Sequence, residues 1–468
     1  MQQTYLIDLQ TGQSRLVVAA PHDFVTNVLW SPDSRSFVFG PTYLPPPGDA
    51  QSLAGRAMIE IDVPSGRTRR VPASDEVTTR RVLDGLVWAD RDTIVMQTGD
   101  VREAARRSGG RWRSVAPPAP QVLEPAVRLE VRQDENTPPR LFAIDASGDA
   151  RMIFDPNPDL TARFALGHVE RFRWEGADGR MWSGTLYYPV GYEEGRRYPL
   201  VIQAHGHAGP GEFSLNGFGG SHPAMGPSTS IYVAQPLAGR GIVVLQMEDQ
   251  DIFDLEEANA YMRAYETAIS SLDARGLIDP ARVGIGGFSR TGWHILYALT
   301  HSDFEFAAAI VSDNIDAGYF QGALMPGYFL SEHGGLSYGE GLERWLETAP
   351  PFSVERVRTP LRLQTEGAWN APFLLASWEM FSRLRHLNRP VEYYVVPDVL
   401  NGSHALQNPT QVLASQQGAV EWFDYWLNGE LPAAIERRED LHRLRALRDR
   451  VSVGPRAPLL DWSVTARP

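Results

Sequence analysis

One stretch constrains this chain more than any other: Val283-Gly284-Ile285-Gly286-Gly287-Phe288-Ser289-Arg290-Thr291-Gly292-Trp293. A short apolar run with glycines reads as a strand buried on both faces. It passes through a single serine into a segment with apolar residues at helical spacing. A strand that turns directly into a helix at a serine presents the hydroxyl on a sharp, strained corner. The residue two before the serine must be small, and Gly287 is. The helix behind Ser289 directs the positive end of its dipole at the turn. The pattern departs from G-x-S-x-G at one place, where Thr291 stands at the second glycine and Gly292 follows one later.

The surroundings agree with a mostly parallel, doubly wound α/β sheet. Pro199 to Ala204 and Gly241 to Met247 are further continuous apolar runs. An amphipathic stretch spans Leu255 to Arg275. After the elbow come strand Phe306-Ser312, strand Leu361-Gln364, helix Leu374-Leu387, strand Val391-Pro397 and a helix over Gln411 to Leu427. Strands alternating with helices imply parallel pairing through crossovers.

The N-terminal third has a different period. Three stretches share an apolar strand ending Ile-Asp, a turn with Gly, and a strand opening near Arg: at Ile7-Asp8, Ile61-Asp62 and Ile144-Asp145. Each reads as a hairpin. Two more strands follow Trp30 and Trp88. Hairpin plus Trp-Asp strand, repeated, has the form of β-propeller blades, and too few repeats precede residue 165 to close a ring, so an open or truncated propeller is expected. Residues 101–122, with Arg102, Arg106, Arg107, Arg111 and Arg113 and then Pro117, Pro118 and Pro120, read as an exposed loop between strands. The expected division is 1–165 propeller-like, 166–432 catalytic, and 433–468 a charged helix and tail.

With 468 residues, two domains are the natural expectation. The formal net charge of −13 argues against nucleic acid or an anionic membrane surface as partner. The chain has no cysteine, which excludes thiol catalysis, disulfides and cysteine-type zinc sites. No cofactor or metal is expected. The His205-x-His207 pair has no evident third ligand. No apolar run reaches the length of a membrane span and no signal pattern opens the chain, so cytoplasm and periplasm both stay open, as does oligomeric state.

A serine hydroxyl needs a base. Of 11 histidines, His404 is singled out by its place, in a loop after strand Val391-Pro397 and just before the last helix. His294, His301, His386 and His442 sit on helices or helix ends and read as structural.

At these residues the chain resembles the prolyl oligopeptidase family of serine peptidases, which pairs an α/β-hydrolase domain with an N-terminal β-propeller. The likeness includes the entry hairpin Arg171 to Tyr188, the segment Tyr198-Pro199-Leu200-Val201-Ile202, the Ala208-Gly209-Pro210 loop, the elbow, and Thr359-Pro360-Leu361. It implies Ser289 as nucleophile, His404 as base, and an oxyanion hole from the Arg290 backbone N–H and a side chain before Ala208. The family has tyrosine there; this chain has His207, whose ring can also donate. The family's acid is an Asp in the loop after the strand matching Leu361-Gln364. That loop, Thr365 to Pro372, has no Asp, and Glu366 is its one carboxylate. Glu366 is the expected acid, with Glu379, Asp398 and Asp313 as alternatives. The elbow and the Glu-for-Asp exchange resemble the lasso-peptide isopeptidases, which open a macrolactam between an N-terminal amine and an acidic side chain.

The resemblance implies a hydrolase acting on a peptide-like substrate, through an acyl-enzyme on Ser289, at a peptide or isopeptide bond. An esterase needs the same machinery without a peptide groove. A catalytically weakened, binding-only protein is the third reading, supported by the missing Asp and the altered oxyanion residue.

Overall fold

The computed structural model describes residues 3–7, 13–19, 22–42, 57–79, 83–119, 127–145, 147–205, 211–216, 231–325, 327, 330–366, 371–396, 404, 406, 408–429 and 438–453. The chain divides into two compact units, Met1–Ala126 and Val127–Pro468. The division falls earlier than the 165/166 border expected from the sequence.

In the first unit, the hairpin Gln3–Ile7/Ser14–Ala19 forms its own antiparallel pair. Two four-stranded antiparallel meanders follow. One runs His22–Trp30, Ser36–Thr42, Ala57–Asp62, Thr68–Val71, and the other Gly85–Trp88, Thr93–Thr98, Val101–Ser108, Arg111–Val115. Val38, Met58 and Val71 of one share a core with Ile94, Met96, Ala105 and Trp112 of the other.

The arginine-rich stretch is not a loop. Val101–Ser108 and Arg111–Val115 pair across Gly109 and Gly110, at φ 56° and 75°. Two consecutive glycines at positive φ make a tight hairpin turn, and Ala104 and Ala105 face the core. Arg107 turns inward to pair with buried Glu60, which also accepts from Ser36 Oγ at 2.8 Å and Trp112 Nε1 at 2.9 Å. Burial pushes the Glu60 carboxyl up, but donation from Trp112, Ser36 and Arg107 outweighs it and holds the pKa below the usual carboxylate value.

The second unit opens with a three-stranded antiparallel sheet, Val127–Asp134, Thr137–Asp145 and Ala150–Phe154, which takes in the third Ile-Asp hairpin. Its main body is an eight-stranded mixed sheet. In chain order the strands are β1 (Val169–Glu175), β2 (Met181–Tyr187), β3 (Tyr198–Ala204), β4 (Val243–Met247), β5 (Ile278–Phe288), β6 (Ala308–Ser312), β7 (Leu361–Glu366) and β8 (Val391–Val396). Their order across the sheet is β1-β2-β4-β3-β5-β6-β7-β8. The entry strands pair antiparallel, and β4 through β8 with β3 are parallel.

Among the helices that cover the sheet are α1 (Ala234–Ala238), α2 (Glu257–Ala274), α3 (Arg290–His301), α4 (Ala371–His386) and α5 (Pro409–Asn428). Tyr265 of α2, Leu296 of α3 and Met380 of α4 belong to the core on one face. Leu237 of α1 and Trp422 and Phe423 of α5 belong to the other. The charged helix Arg438–Val453 joins this second core through Leu444 and Leu447. Between β6 and β7 the chain inserts the short helices Tyr319–Leu324, Leu330–His333 and Leu342–Thr348, which the sequence reading does not anticipate. In such a sheet, ligands bind beyond the carboxyl ends of the strands.

Candidate active site

Strand β5 ends at Phe288 and α3 begins at Arg290, so a single residue turns the corner. That residue, Ser289, sits at φ 55° and ψ −125°. A non-glycine residue there is strained by roughly 1–3 kcal/mol and persists only where neighbours over-determine it. They do: Ser289 N–H donates to Ser312 O at 3.0 Å, and its carbonyl accepts from Gly292 N at 3.0 Å and Ile315 N at 3.2 Å.

The two glycines of the motif are explained by close approach. A Cβ on Gly287 would lie 2.7 Å from Thr291 O, and one on Gly292 would lie 2.4 Å from Asn314 Cβ. Thr291, in place of the second motif glycine, uses its hydroxyl to tie the elbow together. It accepts from Phe288 N at 3.0 Å and lies 2.9 Å from Ala204 O at the end of β3. His205 follows at φ 139°, with its Nδ1 3.3 Å from the same hydroxyl.

His404 meets the serine, its Nε2 2.7 Å from Ser289 Oγ. Phe288 stacks on the imidazole at 4.6 Å between centroids and Phe373 contacts it at 4.9 Å. The other ring nitrogen faces a carboxylate, and this is where the sequence expectation needs correction. Asp313 Oδ2 lies 2.5 Å from His404 Nδ1. Glu366 does not face the ring.

Both carboxylates are fully buried, and their strands explain their different tasks. Asp313 follows β6, the neighbour of the elbow strand β5, and takes φ 43°, which swings its side chain across to the histidine. Glu366 ends β7, one strand further out. Its backbone N–H donates to Asp313 Oδ1 at 3.0 Å. Its carboxylate accepts from Leu406 N at 2.9 Å and Ser312 Oγ at 3.0 Å. Glu366 thus holds Asp313 with its main chain and the segment just after His404 with its side chain. The signal for Asp313 was present in the sequence, as an acid immediately after the strand expected next to the elbow strand.

Of the other candidates, Glu379 accepts from Phe320 N at 3.2 Å and pairs with Arg383 on its own helix. Asp398 and His207 lie outside the described residues. His294 is buried against Glu257, and His301 stacks on Tyr297 at 3.9 Å, as expected of structural histidines. Asp316, three residues beyond Asp313, is completely buried, and burial raises its carboxyl to about 7, above the usual value. Its Oδ1 accepts from Gly318 N at 2.8 Å.

A hydroxyl on a strained corner, an imidazole in contact with it, and a buried carboxylate on the far ring nitrogen can carry out nucleophilic acyl transfer. Among the described residues no group of three or more His, Asp or Glu could hold a metal ion, and no helix is long and apolar enough to cross a membrane.

No family model matches the chain. Among curated proteins it is similar to a lasso peptide isopeptidase from Asticcacaulis excentricus, 28% identical over 347 residues, covering 69% of this chain and 47% of the relative. It is also similar to an uncharacterized peptidase of Bacillus subtilis, 23% identical over 307 residues, covering 62% of this chain and 44% of the relative. The chain therefore spans somewhat under half the length of these relatives. Among the solved structures that share its fold are an isopeptidase and an acylaminoacyl peptidase. An isopeptidase variant with Astexin3-dC4 bound matches with a TM-score of 0.56 at 21% identity, over 95% of this chain and 70% of that one. An acylaminoacyl peptidase of Pyrococcus horikoshii matches with a TM-score of 0.57 at 14% identity, over 94% and 87%. The likeness to these solved structures is one of fold, and the curated relatives are peptidases by name.

Proposed function

We propose that this chain, a serine-type peptidase of prolyl oligopeptidase type, cleaves a peptide or isopeptide bond through an acyl-enzyme on Ser289. The observation that carries the reading is the continuous contact from Ser289 Oγ to His404 Nε2 at 2.7 Å and from His404 Nδ1 to Asp313 Oδ2 at 2.5 Å. In the first step His404 takes the hydroxyl proton as Oγ attacks the substrate carbonyl carbon. Asp313 keeps the ring in the required tautomer and stabilises the imidazolium that forms. The oxyanion is received by the Arg290 backbone N–H, with His207 as the second donor. The imidazolium then protonates the leaving amine as the C–N bond breaks. Water, deprotonated by His404, hydrolyses the ester and restores Ser289.

The substrate proposed is a lasso peptide or a similar ring closed by an amide on an acidic side chain, in keeping with the isopeptidase relative. The two four-stranded meanders are proposed to be blades of a propeller that screens substrates. With Asp313 in contact with His404, the weakened, binding-only reading loses its main support. Residues 166–432 with the C-terminal helix are proposed as the catalytic part. The test is incubation of the full chain with a lasso peptide and with an aminoacyl anilide. Ring opening, seen as the gain of one water by mass and abolished in Ser289→Ala, is the expected result. Cleavage of nitrophenyl esters alone would replace the reading with an esterase.

A further inference from the structure

The residue after the nucleophile is anchored by its side chain as well as by the helix it begins. Arg290 Nε donates to Glu257 Oε1 at 2.6 Å, and its Nη2 donates to both Glu257 Oε2 and Glu332 Oε1. The guanidinium carbon lies 5.0 Å from the Phe253 ring and 5.6 Å from the Trp293 ring. Glu257 opens α2, and Glu332 comes from the short helix Leu330–His333 in the insertion between β6 and β7. His294, one turn along α3, sets Nε2 at 2.7 Å from Glu257 Oε1 and stacks on Tyr261 at 4.0 Å. Both glutamates and His294 are buried.

Burial lowers the His294 pKa, and one guanidinium is shared by two buried glutamates. Such a cluster is poor value for stability, since a buried ion pair is often matched by apolar side chains of similar volume. It does confer fixed direction: a planar guanidinium gripped bidentately by one carboxylate and held by a second cannot rotate. The peptide between Ser289 and Arg290 needs that restraint. It adjoins a residue at φ 55°, and α3 starts without a side-chain cap. An oxyanion donor is effective only when its direction is set before the charge develops.

We propose that Glu257 and Glu332 are positioning residues for the reaction: by holding the Arg290 side chain from two elements, they fix the peptide whose N–H receives the oxyanion. This rests on the acyl-enzyme reading above. Neither glutamate touches substrate; both act through Arg290. The prediction is a loss confined to the transition state, because ground-state binding does not use the oxyanion.

The experiment compares Glu332→Gln, Arg290→Met and the unaltered full chain on an aminoacyl anilide. A peptide aldehyde, which forms a tetrahedral oxyanion adduct with Ser289, is the probe. The expected result is a fall in kcat of about ten- to a hundredfold with KM nearly unchanged, the scale of a misplaced catalytic group. The aldehyde should weaken by the same factor as kcat/KM. Glu332→Gln keeps the shape of the side chain, so it tests the idea even where Arg290→Met fails to fold. Unchanged kcat, a rise confined to KM, or an aldehyde affinity that does not follow kcat/KM would overturn the inference. Retained turnover in Ser289→Ala would instead sink the acyl-enzyme reading itself, so the two failures are distinguishable.

Discussion

The carboxyl ends of β6 and β7 carry two fully buried acids on adjacent strands, and they differ in what they hold. Asp313 is applied to the His404 ring at 2.5 Å. Glu366 is applied to backbone, receiving Leu406 N–H at 2.9 Å and giving its own N–H to Asp313 at 3.0 Å. One acid lies against the imidazole; the other holds the frame in which that acid and that imidazole meet. A carboxylate at the right end of the right sheet is therefore not enough to assign a role. The strand it follows and the atoms it accepts from decide it.

The largest effect that separates the two is expected from Asp313→Asn. It keeps the shape and removes the charge that stabilises the imidazolium, and a loss of about 10⁴ in kcat is the scale for such a change. If Asn at 313 is tolerated and Gln at 366 is not, the two roles are reversed. Combining both variants sharpens the contrast. Groups acting as one unit are not additive, so Asp313→Asn should mask most of the catalytic cost of the Glu366 change.

Next in size is Glu366→Ala. It removes the carboxylate oxygens that accept from the Leu406 N–H and the Ser312 hydroxyl, and a hydrogen bond to a charged group contributes about 1.5–3 kcal/mol. The melting temperature should fall markedly, and labelling of Ser289 by a fluorophosphonate should slow because His404 loses its anchor. Glu366→Gln keeps an acceptor oxygen. It should cost roughly tenfold in kcat, the low end of what a displaced catalytic group loses. A loss for Gln as large as for Asp313→Asn would erase the distinction between ring-facing and frame-holding acid.

The smallest effect concerns Asp316, in the loop that carries Asp313. Its carboxyl is raised to about 7 by burial, whereas an unfolded Asp ionises near about 3.9. A raised acid binds its proton in the folded state while the unfolded chain has lost it. Its contribution therefore lowers stability as pH climbs from about 4 to about 7, with no further change above. Asp316→Asn mimics the protonated form. Relative to the parent it should melt higher at pH 7 and nearly alike at pH 4. The same melting difference at both pH values would show that Asp316 is not held protonated by the fold.

How far the chain could be read without its fold follows from the same contrast. The elbow was legible because every residue it needs is consecutive: Gly287 for the close approach of Thr291 and Ile295, Ser289 for the corner, Gly292 for contact with the next loop. His404 was legible from its place between the last strand and the long helix that follows it. The hairpins at Ile61-Asp62 and Ile144-Asp145 were legible because turns are local. The Gly109-Gly110 turn was equally local, yet its charged flanks obscured two strands, because Arg107 finds its partner, Glu60, on a distant strand.

The sequence by itself thus determined a serine at a strand–helix corner, a histidine near the end of the α/β part, and an alternating α/β pattern to join them. Only the tertiary structure decided which acid lies against the histidine and which glutamates hold the Arg290 side chain. The physical reason is that those contacts join residues far apart in the chain, Asp313 to His404, Glu366 to Leu406 and Arg290 to Glu257 and Glu332. Their meeting depends on strand order, register and one backbone angle at Asp313, none of which leaves a periodic trace in the sequence.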